Sequence, residues 1–144
     1  MEQEPTSEPS ARLAGAAAGE SAFRVPGTLG LQDQALIKEF ILLPILLTVL
    51  ERNRIKIESS TMKLKAAYLE MLDKVMKTVH TDLTAVRRQL RRRGVQVYLE
   101  TKDEEGIRHL YVYQGYSDRV FLRWVFVEAE LRIRFAAYFG YEIH

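Results

Sequence analysis

The sequence predicts a mostly helical α+β domain: three helices with one β-hairpin between helices two and three, in the order α-α-β-β-α. Three patterns predict it. Apolar side chains at Tyr68, Leu72, Val75, Val79, Leu83, Val86 and Leu90 recur at steps of three and four, the spacing of one face of a long helix. The run Phe40–Leu50 (FILLPILLTVL) is apolar nearly all round, as a helix enclosed by other elements must be. VQVYLE and IRHLYVYQ alternate β-branched and aromatic residues at period two, and TKDEEG between them supplies a hairpin loop.

A chain of 144 residues has the length of one domain. Residues 1–29 read as a disordered, acidic, Ala/Gly-rich tail, and residues 30–144 as a single globular domain. Beyond Leu13, Phe23, Val25 and Leu29 the tail lacks large apolar side chains, so burial does not offset the entropy of ordering it. Gly15 and Gly19 count against the alternative of an Ala-rich helix over Ala11 to Ala18. Four glutamates against two arginines give residues 1–29 a charge of −2, which leaves +4 on the remainder of a chain whose total is +2. With no cysteine, disulfides, thiolate metal sites and cysteine nucleophiles are excluded. The acidic start MEQEPTSEPS is unlike an export signal. At ~1.5 Å per residue, Phe40–Leu50 spans about half of a ~30 Å bilayer core, and Lys38, Glu39, Glu51 and Arg52 close it on both sides. No membrane span is expected, and the setting expected is cytoplasmic.

In the first helix Asp33 is placed to cap, followed by Leu36, Phe40, Leu43, Leu47, Leu50 and Ile57. Pro44 removes a backbone donor and is expected to kink or split the helix. The polar stretch ERNRIKIE forms its exposed last turns before Ser59 and Ser60. The second helix takes Ser60 or Thr61 as its cap and ends at Gly94. Lys63, Lys65, Glu70, Asp73, Lys74 and Lys77 make its other face a solvated one, while Met62, Met71 and Met76 broaden the apolar stripe. In the hairpin, Val95, Val97 and Leu99 share a face opposite Leu110 and Val112, which leaves Tyr98, His109, Tyr111 and Tyr113 on the other. Gly115 marks a turn and Ser117 or Asp118 a cap. The third helix then runs from about Asp118 to Phe139 with Phe121, Trp124, Val127, Leu131, Phe135 and Tyr138 inward. Glu128 with Arg132 and Glu130 with Arg134 read as ion pairs on its solvated face. Gly140 to His144 reads as a frayed end.

Catalysis requires convergent groups. His80, His109 and His144 have neither metal-ligand spacing nor a neighbouring serine elbow, and no glycine-rich phosphate loop is present. No catalytic, cofactor-binding or metal-ligating residue is assigned, no cofactor is expected, and the chain does not read as an enzyme. His109 among the tyrosines is where a site would assemble if one existed. The feature that points toward a partner is Arg87, Arg88, Arg91, Arg92 and Arg93, a candidate site for an anion. Like charges at i,i+4 repel, although the C-terminus of a helix is where cations are best tolerated. The apolar stripe continues through Val86 and Leu90, so the arginines form a collar around a packing face.

The strings MKLKAAYLEML, Asp82–Leu83, RRRGVQVY, YVYQGY and RIRF followed by AAYF resemble a family of small uncharacterised proteins from spore-forming bacilli, over about residues 33–139. The resemblance implies a bacterial cytosolic or sporulation-associated setting and brings no activity with it. The expected role is a noncatalytic structural or protein-interaction domain that self-associates. Phe121, Trp124, Phe126, Phe135, Tyr138, Phe139 and Tyr141 supply more apolar surface than so small a domain needs. The alternative is nucleic-acid binding with a winged-helix-like topology through the basic end of helix two, against which the acidic tip at Asp103, Glu104 and Glu105 would repel phosphate.

Overall fold

The computed structural model describes residues 29–143; the readings of residues 1–28 and of His144 lie outside them. Helix α1 (Leu31–Glu58) packs against the two other helices. Ile37, Leu42, Leu43 and Leu50 are fully buried, whereas Phe40, Pro44 and Ile45 are half-buried and Thr48 and Val49 exposed, so the stretch is enclosed on most sides and open on one. Leu29 is buried as well, and ordered packing begins before the helix does. Gly30 occupies the N-cap position expected for Asp33, which sits one turn inside and accepts from Arg93 Nη1 at 3.1 Å. Pro44 does not split the helix, which is continuous over 28 residues. Burial of the apolar turns on either side outweighs the single backbone bond that proline forfeits.

Helix α2 (Lys65–Arg92) returns antiparallel to α1: Arg54 pairs with Asp73 at 2.6 Å near one end and Asp33 with Arg93 at the other. Leu72, Val75, Val79, Leu83, Val86 and Leu90 are buried as the stripe requires, and Tyr68 lies at its exposed margin. The start is later than expected. Ser60 Oγ donates back to Ile57 O at 2.6 Å, finishing α1, and Leu64 enters α2 with a φ of 59°. Gly94 supplies the left-handed residue at the other end, with a φ of 74°.

The expected hairpin is a three-stranded antiparallel sheet, β1 (Val95–Lys102), β2 (Gly106–Tyr113) and β3 (Tyr116–Arg123), in the order β1-β2-β3. Gln114 and Gly115, with φ of 51° and 83°, form a two-residue turn that pairs Tyr113 with Tyr116 and sends the chain back as a strand. Phe121 and Trp124 lie three apart, like one helical face, but Val120 and Leu122 alternate into the core. The third helix, α3 (Trp124–Phe139), therefore begins at Trp124 and not near Asp118. The register corrects a further expectation. Val95, Val97 and Leu99 stand opposite Tyr113, Tyr111 and His109 instead of Val112 and Leu110. His109 and Tyr111 thus face the helices with Ile107, Val120 and Leu122, because a slip of one residue exchanges the faces of a strand. Burial and the nearby Asp118 raise the Tyr111 hydroxyl pKa.

A buried ion cluster joins α3 to α1. Glu130 and Arg134 were expected on a solvated face, yet they are 2% and 0% exposed, as Lys38 and Glu39 are 1% and 3% exposed. Arg134 donates through Nε to Glu39 Oε1 at 2.8 Å, through Nη2 to Glu39 Oε2, and through Nη1 to Glu130 Oε1 at 2.8 Å. Lys38 Nζ completes the set 3.4 Å from Glu130 Oε1. Burial pulls the Arg134 guanidinium down, but Glu39 and Glu130 more than reverse it and its pKa is raised. Glu128 and Arg132 do lie on the exposed face. Tyr138 donates to Asp82 Oδ2 at 2.5 Å in a second buried contact, which ties α3 to α2. Phe126, Phe135 and Phe139 pack against the core, so much of the expected apolar surplus is absorbed, and Tyr141 remains exposed. Among the described residues no helix is long and apolar enough to cross a membrane.

Two stability predictions follow from this packing. Arg134→Ala leaves Glu39 buried without its cation and Glu130 with Lys38 alone, and urea unfolding should show a loss of ~3–5 kcal/mol. Gly106→Ala should cost ~1–3 kcal/mol or more in the same assay, because a Cβ there would meet Leu122 O at 2.2 Å and Arg123 Cα at 2.9 Å.

Candidate functional site

With β2 in the centre of the sheet, the outer edge of β1 has no strand partner among the described residues. Along it runs a groove between β1, α1 and the C-terminal end of α2. One part, of about 400 Å³, is lined by Phe40, Leu90, Val95 and Val97, with Arg87 and Arg91 beside them. The adjoining part, of about 370 Å³, shares Phe40 and Val97 and continues over Pro44, Ile45, Leu99 and His109. Alternation along β1 turns Val95 and Val97 toward the groove, and Gln96 and Tyr98 border it. The site is thus apolar and elongated, with Arg87 and Arg91 at one end and Lys102 at the other.

The five arginines of the sequence motif do not act as one cluster. Arg87 and Arg91, both exposed and one helical turn apart, reach the groove. Arg93 is engaged by Asp33 at 3.1 Å. Arg88 is half-buried and Arg92 exposed, and neither lines the groove. Val86 and Leu90 are buried inside this collar. Sequence reasoning found the two arginines but not Phe40 or Val97. The signal available was the edge position of the strand that directly follows the collar.

The acidic hairpin tip is a structural clasp. Asp103 Oδ1 accepts from the N–H groups of Glu105 and Gly106 at 2.9 and 3.2 Å, and Oδ2 accepts from Arg108 Nη1 at 2.8 Å. The two backbone donors first, and then Arg108, hold the Asp103 carboxyl below its usual range. Trp124 Nε1 donates to the Asp103 carbonyl at 2.6 Å, which fastens the tip to the start of α3. His109 is 7% exposed at the groove floor and its Nδ1 has no hydrogen-bond partner. Burial pushes its pKa down to about 4, so the ring is neutral at pH 7. Among the described residues no group of three or more His, Asp or Glu side chains is placed to hold a metal ion.

Comparison with known proteins adds a family. The YhjD protein family matches residues 29–143, the whole described domain. This chain belongs to that family. It is 32% identical over 83 residues to a protein of Bacillus subtilis (strain 168) titled "Uncharacterized protein YhjD", a match that covers 58% of this chain and 69% of the relative. No solved structure matches. The resemblance to small uncharacterised bacillus proteins therefore resolves to the YhjD family, whose title names no activity, and the groove has to be understood from its own chemistry.

The buried histidine of this YhjD-family fold gives a pH prediction. Its folded pKa of about 4 lies below the ordinary value of 6.5, so between those values the unfolded chain binds the proton and the folded chain does not. Stability should fall as pH drops from 6.5 to about 4, by up to ~3 kcal/mol, and this contribution should change no further below that. Urea midpoints at pH 7 and pH 5 should differ clearly in the natural chain and much less in His109→Gln. An equal difference in both chains would assign the effect to other groups.

Proposed function

We propose that the domain is a noncatalytic protein-interaction module that self-associates through the open edge of β1. The observation that carries this reading is the edge itself. Tyr98 and Leu99 are 50% and 59% exposed on a strand whose outer N–H and C=O groups no described residue pairs, directly above an apolar groove. An edge of this kind is a template for another strand. Two copies meeting antiparallel at β1 about a two-fold axis would extend the sheet across the interface and satisfy both edges at once. The noncatalytic part is supported by the state of the titratable groups. His109 is buried and neutral with no described hydrogen-bond partner at Nδ1, and the buried carboxylates of Glu39 and Glu130 are committed to Arg134. A cytoplasmic setting belongs to the same reading and fits a chain without cysteine.

A second reading, nucleic-acid binding, is supported by Arg87 and Arg91 exposed side by side at the basic end of α2. Three acidic residues at Asp103, Glu104 and Glu105 and the apolar wall of the groove weigh against it.

Light scattering across a wide concentration range should show a dimer, and Leu99→Lys, which places a charge on the pairing edge, should shift it to monomer without loss of fold by circular dichroism. A strict monomer throughout would remove self-association. Fluorescence anisotropy with duplex DNA at two salt concentrations tests the second reading: it stands only if binding weakens with salt and with Arg87→Ala plus Arg91→Ala.

A further inference from the structure

The groove has a basic end, an apolar wall and an open strand edge, and the part of this chain that precedes Leu29 carries the complement of each. Residues 2–8 include Glu2, Glu4 and Glu8 with no lysine or arginine. Phe23 and Val25 are two apart, the spacing that places both on one side of an extended chain. We propose that residues 1–28 are a built-in occupant of the groove, with Phe23 and Val25 covering its apolar wall beside β1 and the acidic stretch lying against Arg87 and Arg91.

The point of departure favours it. Leu29 is buried, and its carbonyl accepts from Gln34 Nε2 at 3.4 Å. The start of α1 is in turn held to the basic end of α2 by the Asp33–Arg93 pair at 3.1 Å. Leu29, the first described residue, therefore stands at the basic end of α2. Reach is sufficient. An extended chain covers up to ~3.5 Å per residue, so Phe23 has a range of ~21 Å from Leu29. Phe40 lies further along α1 by only ~16 Å at ~1.5 Å per residue. Pro26, which has no N–H to donate, marks where strand-like pairing with β1 would stop. The individual charge pairs are exposed and weak, ~0–1 kcal/mol each. A short tether nonetheless holds the segment at an effective concentration of order mM, so a weak contact is populated without a second molecule. Pairing of two β1 edges would have to displace the segment, so the dimer fraction would rise with protein concentration. Occupancy itself does not depend on that reading.

Because the full chain has no cysteine, an introduced pair reports its own proximity. Ala22→Cys with Gln96→Cys places one thiol beside Phe23 and one on the groove border. Ala22→Cys with Gln32→Cys is the comparison, since Gln32 is exposed on the first turn of α1 and far closer to Ala22 along the chain. In dilute full-length protein under mild oxidation, the Gln96 pair should close within one chain about five-fold or more faster than the Gln32 pair. Adding Glu2→Gln, Glu4→Gln and Glu8→Gln should slow that closure several-fold at low salt, where the charges act most strongly. The proposal is overturned by equal or faster closure of the Gln32 pair, by disulfides formed only between chains, or by closure indifferent to the three glutamates. Light scattering on the natural chain is scored separately, so a monomer result counts against self-association and leaves the crosslinking outcome to decide occupancy.

Discussion

The contact of Arg134 with Glu39 and Glu130 is the constraint on which the helices are arranged. A helix that is apolar nearly all round has to be enclosed, and enclosing α1 takes Lys38 and Glu39 away from water with it. A buried charge without a partner costs several kcal/mol, more than most single apolar contacts return. Apolar packing is non-directional and would accept α3 at many rotations and heights. The planar guanidinium accepts far fewer. It bonds Glu39 through two nitrogens and Glu130 through a third, and Lys38 brings the cluster of two acids and two bases to neutrality. Rotating α3 by one residue would remove Arg134 from Glu39 and Glu130 from Lys38.

That placement propagates to the groove through covalent continuity. β3 ends at Arg123 and α3 begins at Trp124 with no intervening loop, so fixing the helix fixes the strand. The Trp124 backbone N–H donates to Glu105 O at 3.2 Å, and its ring N–H donates to Asp103 O at 2.6 Å, binding the tip between β1 and β2 to the same point. Asp82 and Tyr138 secure the far end of α3 to α2. The sheet is held at the α3 side through β3 and at the start of β1 by its two-residue link to α2, while the outer edge of β1 has no strand partner among the described residues.

The two long helices were legible because their signals are local: a stripe at three and four, an apolar run, and Gly94 at the end. What was illegible depended on tertiary context. β3 hid because Gln114–Gly115 lacks the Asn-Gly or Asp-Gly signature of a two-residue turn, and because Phe121, Trp124 and Val127 are spaced like a helix face. The phase of β2 hid because Ile107, His109 and Tyr111 on one side and Leu110 and Val112 on the other are similarly apolar, so alternation gives the period and not the face. Glu130 and Arg134 match a surface i,i+4 pair, and nothing local separates that from a buried one. A clue did exist in α1: Lys38 and Glu39, on a helix that is apolar on most sides, have to be answered from within. At the site, Arg87 and Arg91 were recognisable as part of a basic run, whereas Phe40 and Val97 looked like ordinary core until the edge of the sheet was placed.

The two edges of that sheet are protected unequally. β3 carries Asp118, Arg119 and Arg123 and runs straight into α3. On β1 the register shifts between Leu99 and Thr101, where Glu100 bulges and reaches Arg119 at 2.8 Å. A bulge increases local twist and breaks the even row of donors and acceptors, a common defence of an edge. The far half of β1 is defended in this way and by Lys102. The near half, Val95 to Leu99, is regular, apolar on its groove side and without a charged side chain of its own. Arg87 and Arg91 flank this half, so whatever pairs there meets positive charge first. A second copy of β1 would match the strand edge alone, whereas an acidic or acid-flanked extended segment would match both the edge and the collar.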